Sequence, residues 1–529
     1  MWATCRDGAA IIRRQSLSYH HHKRITVKNY CRRLSSTSMS RLSDDCSSND
    51  DVAKHQEQGS ILFLSPSNWP EPNATAAGTR TMSLLNHFST SSNSPFTSVH
   101  FGCGATLHDS HILNPTGNSN IYWHQIKPNR TEDMKNLIHT IETKHNNPIR
   151  AVVFDRFYAE EAYSFRIKEL CPNALLILDM QDVHSLRIGR QCIVEEEEED
   201  TSSMTRQLIN RVMEFDPSTN YHNYGESKQR KKAYDTFLRE MASIHRSDLV
   251  LVCSSEELKM LESWGIPKWK LVHASFFCMD NEEKDTTDDT TKMQQYAYED
   301  RVDFVTLGGF KHQPNVDSVR LLHREIWPRI RAQLPNARLH VYGAYTTPQI
   351  QALYDEKTGF LVHGYVDDLE KVLLQSRVLL APLRFGAGCK GKIIDAWTYG
   401  CPVVTTPVGA EGMRNEFLSP NLSDSWGGSV VSDTNEFIEA AVKVYTQKHQ
   451  WQRCRDEGSR LLKRLFNGRV NLPLVENGVR NGMKDLKKNR RLDIVGSILW
   501  RDTLRSTEYF SKWIELKESL SVAEKNDDN

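Results

Sequence analysis

The run from Arg384 to Gly412, RFGAGCKGKIIDAWTYGCPVVTTPVGAEG, concentrates residue types that can hold an anion. Gly386, Gly388 and Gly391 alternate with Lys390 and Lys392 between an apolar run, Val378 to Leu383, and a helix-like segment. The apolar run reads as a buried parallel strand. A glycine-rich turn entering a helix leaves backbone N–H groups free and aimed at one point, under the positive end of the helix dipole. Two ammonium groups strengthen that field, so the turn suits a phosphate or diphosphate. Asp395 follows one helical turn later, where a carboxylate could accept hydrogen bonds from a ribose or sugar hydroxyl. Two other readings fit the same residues. Gly386 to Lys392 has P-loop spacing, but Ile393 stands where that motif needs a magnesium-binding Ser or Thr. Asp179, at the end of Leu175 to Asp179, would be the second magnesium ligand, and it lies far upstream in another domain. The third reading is an ordinary strand–turn–helix crossing whose glycines only permit close packing.

The elements around this turn have a regular order. Phe304 to Leu307 reads as a strand, and Gly308-Gly309 as a turn carrying Lys311. A helix follows with Val316, Val319, Leu322, Ile326, Trp327, Ile330 and Leu334 at helical spacing, then a strand, Leu339 to Tyr342. Strands and helices also alternate from Ile61 to Trp264, which predicts a second parallel, doubly wound sheet. Ligands of such sheets sit outside the carboxyl ends of the strands. Gly78 and Arg80 after the first strand, and Asp182, His184 and Arg187 after the strand ending near Asp179, are therefore expected at an interdomain cleft.

LGGFKHQPNVDSVRLLHREIWPRI, ARLHVYG and the segment from FLVHGYVDD to GAEGM occur in order, from about Val302 to Met413. Together they resemble the donor-binding half of family 4 (group 1) glycosyltransferases. The resemblance implies an α/β protein of the GT-B fold: two Rossmann-like doubly wound parallel-sheet domains facing a cleft, with a C-terminal helical extension. It implies a retaining transfer from a nucleotide-diphosphate sugar, as co-substrate, to an unknown acceptor, with no metal and no other cofactor. Carried over by position, the donor contacts are Gly309, Lys311, Gly386, Gly388, Lys390, Gly391, Lys392, Asp395, Gly409 and Glu411. Asp395 inherits the ribose, and the 388–392 backbone the phosphates. Gly78, Arg80, Asp182 and Arg187 fall on the acceptor side, and His184 beside the chemistry. One position departs from the family pattern. Many relatives carry two glutamates eight positions apart, and the first falls here on Ala387. Either Arg384 and Lys390, with Lys392, supply the missing function, or the chain is a silent GT-B protein that binds a nucleotide sugar or a partner.

A chain of 529 residues is too long for one core. The expected division is a basic tail over 1–57, a first domain over 58–278, an acidic linker over 279–300, a second domain over 301–465, and a basic stretch with helices over 466–529. Lys and Arg equal Asp and Glu at 67 each, which leaves no net field to draw the chain to nucleic acid. No apolar run approaches the roughly 20 residues of a membrane helix. Peripheral membrane contact through the basic stretch Lys484 to Arg491 is the alternative to a solvated helix face. The eleven cysteines form no C-x-x-C pair; Cys171, Cys253 and Cys401 read as reduced core thiols. The acidic run Glu195 to Asp200, with polar residues out to Lys231, reads as a solvated insertion. The tail is rich in arginine and serine and resembles a mitochondrial or plastid transit peptide; the alternative is a cytoplasmic protein with a basic tail.

Overall fold

The computed structural model describes residues 59–527 apart from 73, 108–120, 145–146, 199–202, 220–226, 279–295 and 414–425. The basic tail and most of the acidic linker lie outside the described residues.

The first sheet contains β1 (Gly59–Ser65), β2 (Phe96–Cys103), β3 (Ile121–Gln125), β4 (Ile149–Asp155), β5 (Leu175–Asp179), β6 (Leu249–Val252) and β7 (Leu271–His273). Their order is β3-β2-β1-β4-β5-β6-β7, and every neighbouring pair is parallel. The second sheet contains β8 (Val302–Leu307), β9 (Leu339–Tyr342), β10 (Phe360–Gly364), β11 (Ser376–Ala381), β12 (Val403–Thr405) and β13 (Gly428–Val430). Its order, β10-β9-β8-β11-β12-β13, is again parallel throughout. Both sheets reverse direction at one point, between β1 and β4 and between β8 and β11, where a crevice opens at the strands' carboxyl ends.

Strands covered by helices on both faces must be apolar at every position, and β1 is buried throughout. Leu62, Val152, Leu176 and their neighbours form the core on one face; Ile61, Phe63, Val153 and Ile177 form it on the other. In the second domain Val305, Leu379 and Val403 pack with Ile393, Ile394 and Trp397 of the helix Gly391–Thr398. That packing fixes the helix whose N-terminus carries the two lysines.

Two elements differ from the sequence expectation. The single helix expected after the Gly-Gly turn is interrupted by a π turn, Leu322–Ile326, between Gln313–Leu321 and Trp327–Gln333. Pro328 has no N–H for the carbonyl four residues back, so the ladder widens there. The segment expected to be a solvated insertion is largely ordered. Glu195 to Glu198 continue the helix His184–Glu198, and Thr205 caps a further helix, Arg206–Met213. Leu208 and Val212 of that helix pack with Leu383, Phe385 and Val408 of the second domain, and Ile209 enters the second-domain core. The insertion is part of the seam between the domains.

The chain then returns to its first domain. Leu472, Val475, Val479 and Leu486 of the helix Gly468–Leu492 join the core of Ile61 and Phe63. Arg490 on the same helix donates to Asp248 at 2.8 and 2.7 Å and to the carbonyl of Ala174.

The seam also holds a buried ion pair. Arg190 of the first domain reaches both carboxylate oxygens of Glu411 at 2.6 and 2.8 Å and the carbonyl of Gly386 at 2.9 Å. Removing one member of a buried pair strands the other charge, at a cost of about 3–5 kcal/mol. Arg190→Ala and Glu411→Ala should each lower the unfolding free energy by that amount, read as a lower urea midpoint, while the double replacement Arg190→Met/Glu411→Leu should restore most of it. Wild-type stability in either single variant would show that the pair does not carry the seam.

Candidate active site

The turn after β11 is shaped by contact with the first domain. Gly388 has φ +66°, and a Cβ there would lie 3.0 Å from the Cβ of Asp182. Both facts require glycine. Its N–H donates to Glu257 Oε1 at 2.8 Å, and the same oxygen accepts from Val183 N–H at 3.0 Å. Glu257 is buried, and its Oε2 meets no partner among the described residues. Burial, then the charge of Asp182, pushes its carboxyl up to about 8, so it is protonated at neutral pH. Of the phosphate-binding N–H groups expected over 388–392, the first is therefore already taken.

The remainder of the turn opens on a slot. Lys390 stands at the N-cap of the helix Gly391–Thr398, its ammonium on the carbonyls of Gly388 at 2.5 Å and Ala387 at 3.3 Å. Lys392 Nζ lies 2.7 Å from Asn315 Oδ1, and Asn315 Nδ2 donates to the Gly309 carbonyl at 2.9 Å. Asn315 thus ties the two glycine turns together. Both lysines keep some contact with solvent but are ringed by protein. Burial lowers both ammonium groups; Lys392 falls to about 7, with Lys390 adding repulsion. Asp395, one turn on, is raised by burial to about 7, and no described donor reaches its carboxylate.

The first domain supplies the opposite wall. Asp182 accepts from Arg187 Nε at 2.7 Å and lies 3.2 Å from His184 Nδ1. Burial opposes its charge, but Arg187 and His184 overcome this and hold the carboxyl well below the usual range. Arg156, paired with Asp155 at 3.0 Å, and Gln181 adopt φ of +70° and +61°, an uncommon conformation for side chains of this size. His184 packs edge-on against Phe157 and Tyr158.

The structure therefore sorts the residues picked out in the sequence. Gly388 meets Asp182, which holds His184 and Arg187, and Asp182, Arg187, Lys390 and Lys392 all act on His312, so these residues gather at one slot, with Gly386 and Gly391 in the same turn and Asp395 one helical turn on. Gly391 abuts Ala76 of the first domain. Arg80, Arg384 and Glu411 lie instead in ion pairs. Arg80 is buried on Asp179 at 2.6 and 2.7 Å and on the Ala274 carbonyl. Arg384, 2% exposed, binds Asp317 through two nitrogens, and Glu411 is held by Arg190. Gly78 and Gly409 serve packing: a Cβ would meet the Glu71 carbonyl at 2.4 Å in one case and Thr405 Oγ1 at 1.9 Å in the other. Lys311 is exposed, with its ammonium 3.6 Å above the Tyr345 ring, whose hydroxyl donates to Glu71 across the cleft at 2.8 Å. Ala387, at the position of the missing glutamate, is buried in the first-domain apolar cluster. Sequence reasoning passed over Asn315, Glu257, Arg190 and Arg156. Only Glu257 had a usable signal: an acid in the first helical turn after the end of β6, where ligands of such sheets gather.

Comparison with known proteins agrees with this fold. Residues 301–447 match the family described as glycosyl transferases group 1. No curated protein matches the chain in sequence. Among solved structures, sucrose-phosphate synthase from Thermosynechococcus elongatus is similar with a TM-score of 0.52, at 14% identity over 80% of this chain and 98% of that one. Anabaena HepE, solved with UDP and glucose, has a TM-score of 0.50, at 12% identity over 80% and 100% of the two chains. A glycosyltransferase from Rickettsia africae has a TM-score of 0.50, at 12% identity over 81% and 99%. The chain has the GT-B fold, and its residues 301–447 match the group 1 glycosyltransferase family.

Proposed function

We propose that the chain transfers a glycosyl group from a nucleotide-diphosphate sugar to an acceptor in the interdomain slot, with retention and without a divalent metal. The observation that carries this reading is that Lys390, Lys392 and the N-terminus of the helix Gly391–Thr398 gather beside Asp182 and Arg187, with the unpartnered Asp395 carboxylate one helical turn on. The diphosphate lies on the ammonium groups and the helix N-terminus, and Asp395 takes the ribose hydroxyls. As the glycosidic bond to phosphate breaks, charge grows on the leaving oxygen, and donors already in place stabilise it without reorganising. Asp182 fixes His184 through Nδ1, leaving Nε2 for an acceptor hydroxyl. Arg384 holds Asp317, and through it the helix after the Gly-Gly turn; it positions the site and does not touch the sugar.

A second reading, a silent binder of nucleotide sugar, is favoured by one observation: the apolar burial of Ala387. A screen of nucleotide sugars for transfer and hydrolysis, with and without chelator, separates the two. Turnover excludes the silent binder, and turnover that survives chelation excludes a magnesium-dependent NTPase. Binding without turnover under every condition would remove the transferase reading.

The pH dependence of donor binding tests Lys392. Its free-protein pKa is about 7, and a bound diphosphate must raise it. For Lys392 donor binding then takes up a proton, so its contribution is level below about pH 7 and falls above it, by up to tenfold per unit, while the Asp395 carboxylate, also raised to about 7, adds a separate fall below that pH. The phosphates of a nucleotide sugar do not titrate in this range. Lys392→Arg keeps its charge and should flatten the decline, leaving only the part due to Lys390. An unchanged slope in Lys392→Arg would remove Lys392 from the phosphate.

Asp395→Asn keeps the side-chain size and removes the charged acceptor. Affinity for the ribonucleotide should fall by about 1.5–3 kcal/mol, the range for a hydrogen bond to a charged group. Affinity for the 2′-deoxy analogue should fall less, narrowing the preference. A preference equal to that of the wild type would make Asp395 a helix residue without a ligand.

A further inference from the structure

Cys389 stands in the middle of the lysine-bearing turn, between Gly388 and Lys390, and Cys253 directly follows β6 in the first domain. Folding brings the two together across the seam. The Cys389 sulfur lies 3.5 Å from the Cys253 carbonyl oxygen, and the two thiols hydrogen-bond each other. Ser275 Oγ of the first domain lies 3.7 Å from the same sulfur, and the Gly412 carbonyl oxygen 3.8 Å from it. Gly412 has φ +72°, and a Cβ there would lie 3.2 Å from that sulfur, so the turn ending the motif closes over the thiol. Both cysteines are free in this structure. Thiols already in hydrogen-bond contact need only a small shift to reach the roughly 2 Å of an S–S bond.

The two sulfurs are prepared differently. Cys253 is 2% exposed, whereas Cys389 keeps a partial opening to solvent. The bond to Cys389, then burial, holds the Cys253 thiol well above its ordinary value. At Cys389 the bond from Cys253, helped by Ser275 and the charge of Lys390, outweighs burial and lowers the thiol. Burial pushes Cys103, Cys192 and Cys454 up to about 11 and Cys171 and Cys401 to about 12. A lowered, partly open thiol beside a buried one has the layout of an attacking and a resolving cysteine.

We infer that Cys389 and Cys253 form an oxidation site for a small hydroperoxide, at which Cys389 takes the oxidant and Cys253 closes a reversible disulfide between the domains. The Cys389 sulfur attacks the peroxide oxygen; the S–O bond forms, the O–O bond breaks, and the leaving oxygen departs with the thiol proton, as water when the oxidant is hydrogen peroxide. The Cys253 sulfur then attacks the Cys389 sulfenic acid. The S–S bond forms, the S–O bond breaks, and hydroxide leaves with the Cys253 proton as a further water. Two thiols are oxidised to one disulfide, and one peroxide is reduced. The bond fastens the middle of the lysine-bearing turn to the strand end of the other domain. It rests on the seam alone, so it stands or falls independently of the proposed transfer.

The test treats the full chain with hydrogen peroxide, alkylates the remaining thiols and examines the digest by mass spectrometry. Wild type should yield a peptide pair joined through Cys253 and Cys389, which dithiothreitol separates. In Cys253→Ala the sulfenic acid has no resolving partner, so dimedone should label Cys389 at least about tenfold more than in wild type. In Cys389→Ala, Cys253 should stay a free thiol without dimedone label. The wild-type result needs no variant, and melting temperatures of the two variants show whether each keeps its fold. Absence of the joined pair from oxidised wild type would overturn the inference. Labelling of Cys253 in a folded Cys389→Ala, as strong as that of Cys389 in Cys253→Ala, would overturn it too, because Cys253 would then take the oxidant unaided.

Discussion

The arrangement of the two domains depends on keeping one guanidinium satisfied in a place without water. Arg190 is buried; its Nε donates to the Val212 carbonyl of its own domain, and its other partners, the Glu411 carboxylate and the Gly386 carbonyl, belong to the other domain. A charge in such a position is tolerated only when its hydrogen bonds are complete. The domains therefore cannot slide or separate by a small amount at this seam without exposing or stranding a charge. Glu257 works by the opposite means. Held neutral by burial, it links Val183 and Gly388 through one carboxyl oxygen. Together these contacts set the donor turn against the first domain at a fixed height.

That height determines the electrostatics of the slot. With protein on most sides, an ammonium loses hydration and gains no carboxylate in return, so Lys392, at about 7, is only about half protonated at neutral pH before a ligand arrives. An anion entering the slot meets donors that are poorly solvated and already positioned, the condition under which hydrogen bonds to a diphosphate are strongest. Asp395 is in the complementary state, with a carboxyl raised by the same burial and no described partner. A single cause, exclusion of water from the mouth of one helix, shifts the Lys392 ammonium and the Asp395 carboxyl in opposite directions at the same turn.

What could be read from the sequence was what is written locally. Strand and helix order, the Gly-Gly turn and the lysine-bearing turn each depend on residues within a few positions of one another, and all appear where the pattern placed them. Partner choice could not be read. Arg384 stands at a strand end among glycines and reads as a site residue, yet Asp317, brought beside it by folding, fixes it in a buried pair. The segment 195–231 reads as solvated because its average is polar. Three of its apolar residues, Leu208, Ile209 and Val212, share one face of a two-turn helix, and that face is the one the seam uses. The π turn before Pro328 escaped notice because the apolar stripe continues through it.

Ala387 shows why position and environment must be read together. Aligned against relatives, it is an absence: a methyl where an acid is common. In the structure it is a contact, since the methyl packs in the cluster of Val152, Leu178 and Met180 in the first domain. A carboxylate there would be charged, surrounded by apolar atoms and next to the already raised carboxyl of Glu257, an arrangement the energetics of burial forbid without displacement of the turn. The close approach of the donor turn to the first domain and an acid at position 387 are thus mutually exclusive in this chain. Any chemistry in the slot must come from residues that keep their place while that approach is maintained, among them Lys390 and Lys392 of the turn and Asp182, His184 and Arg187 of the first domain.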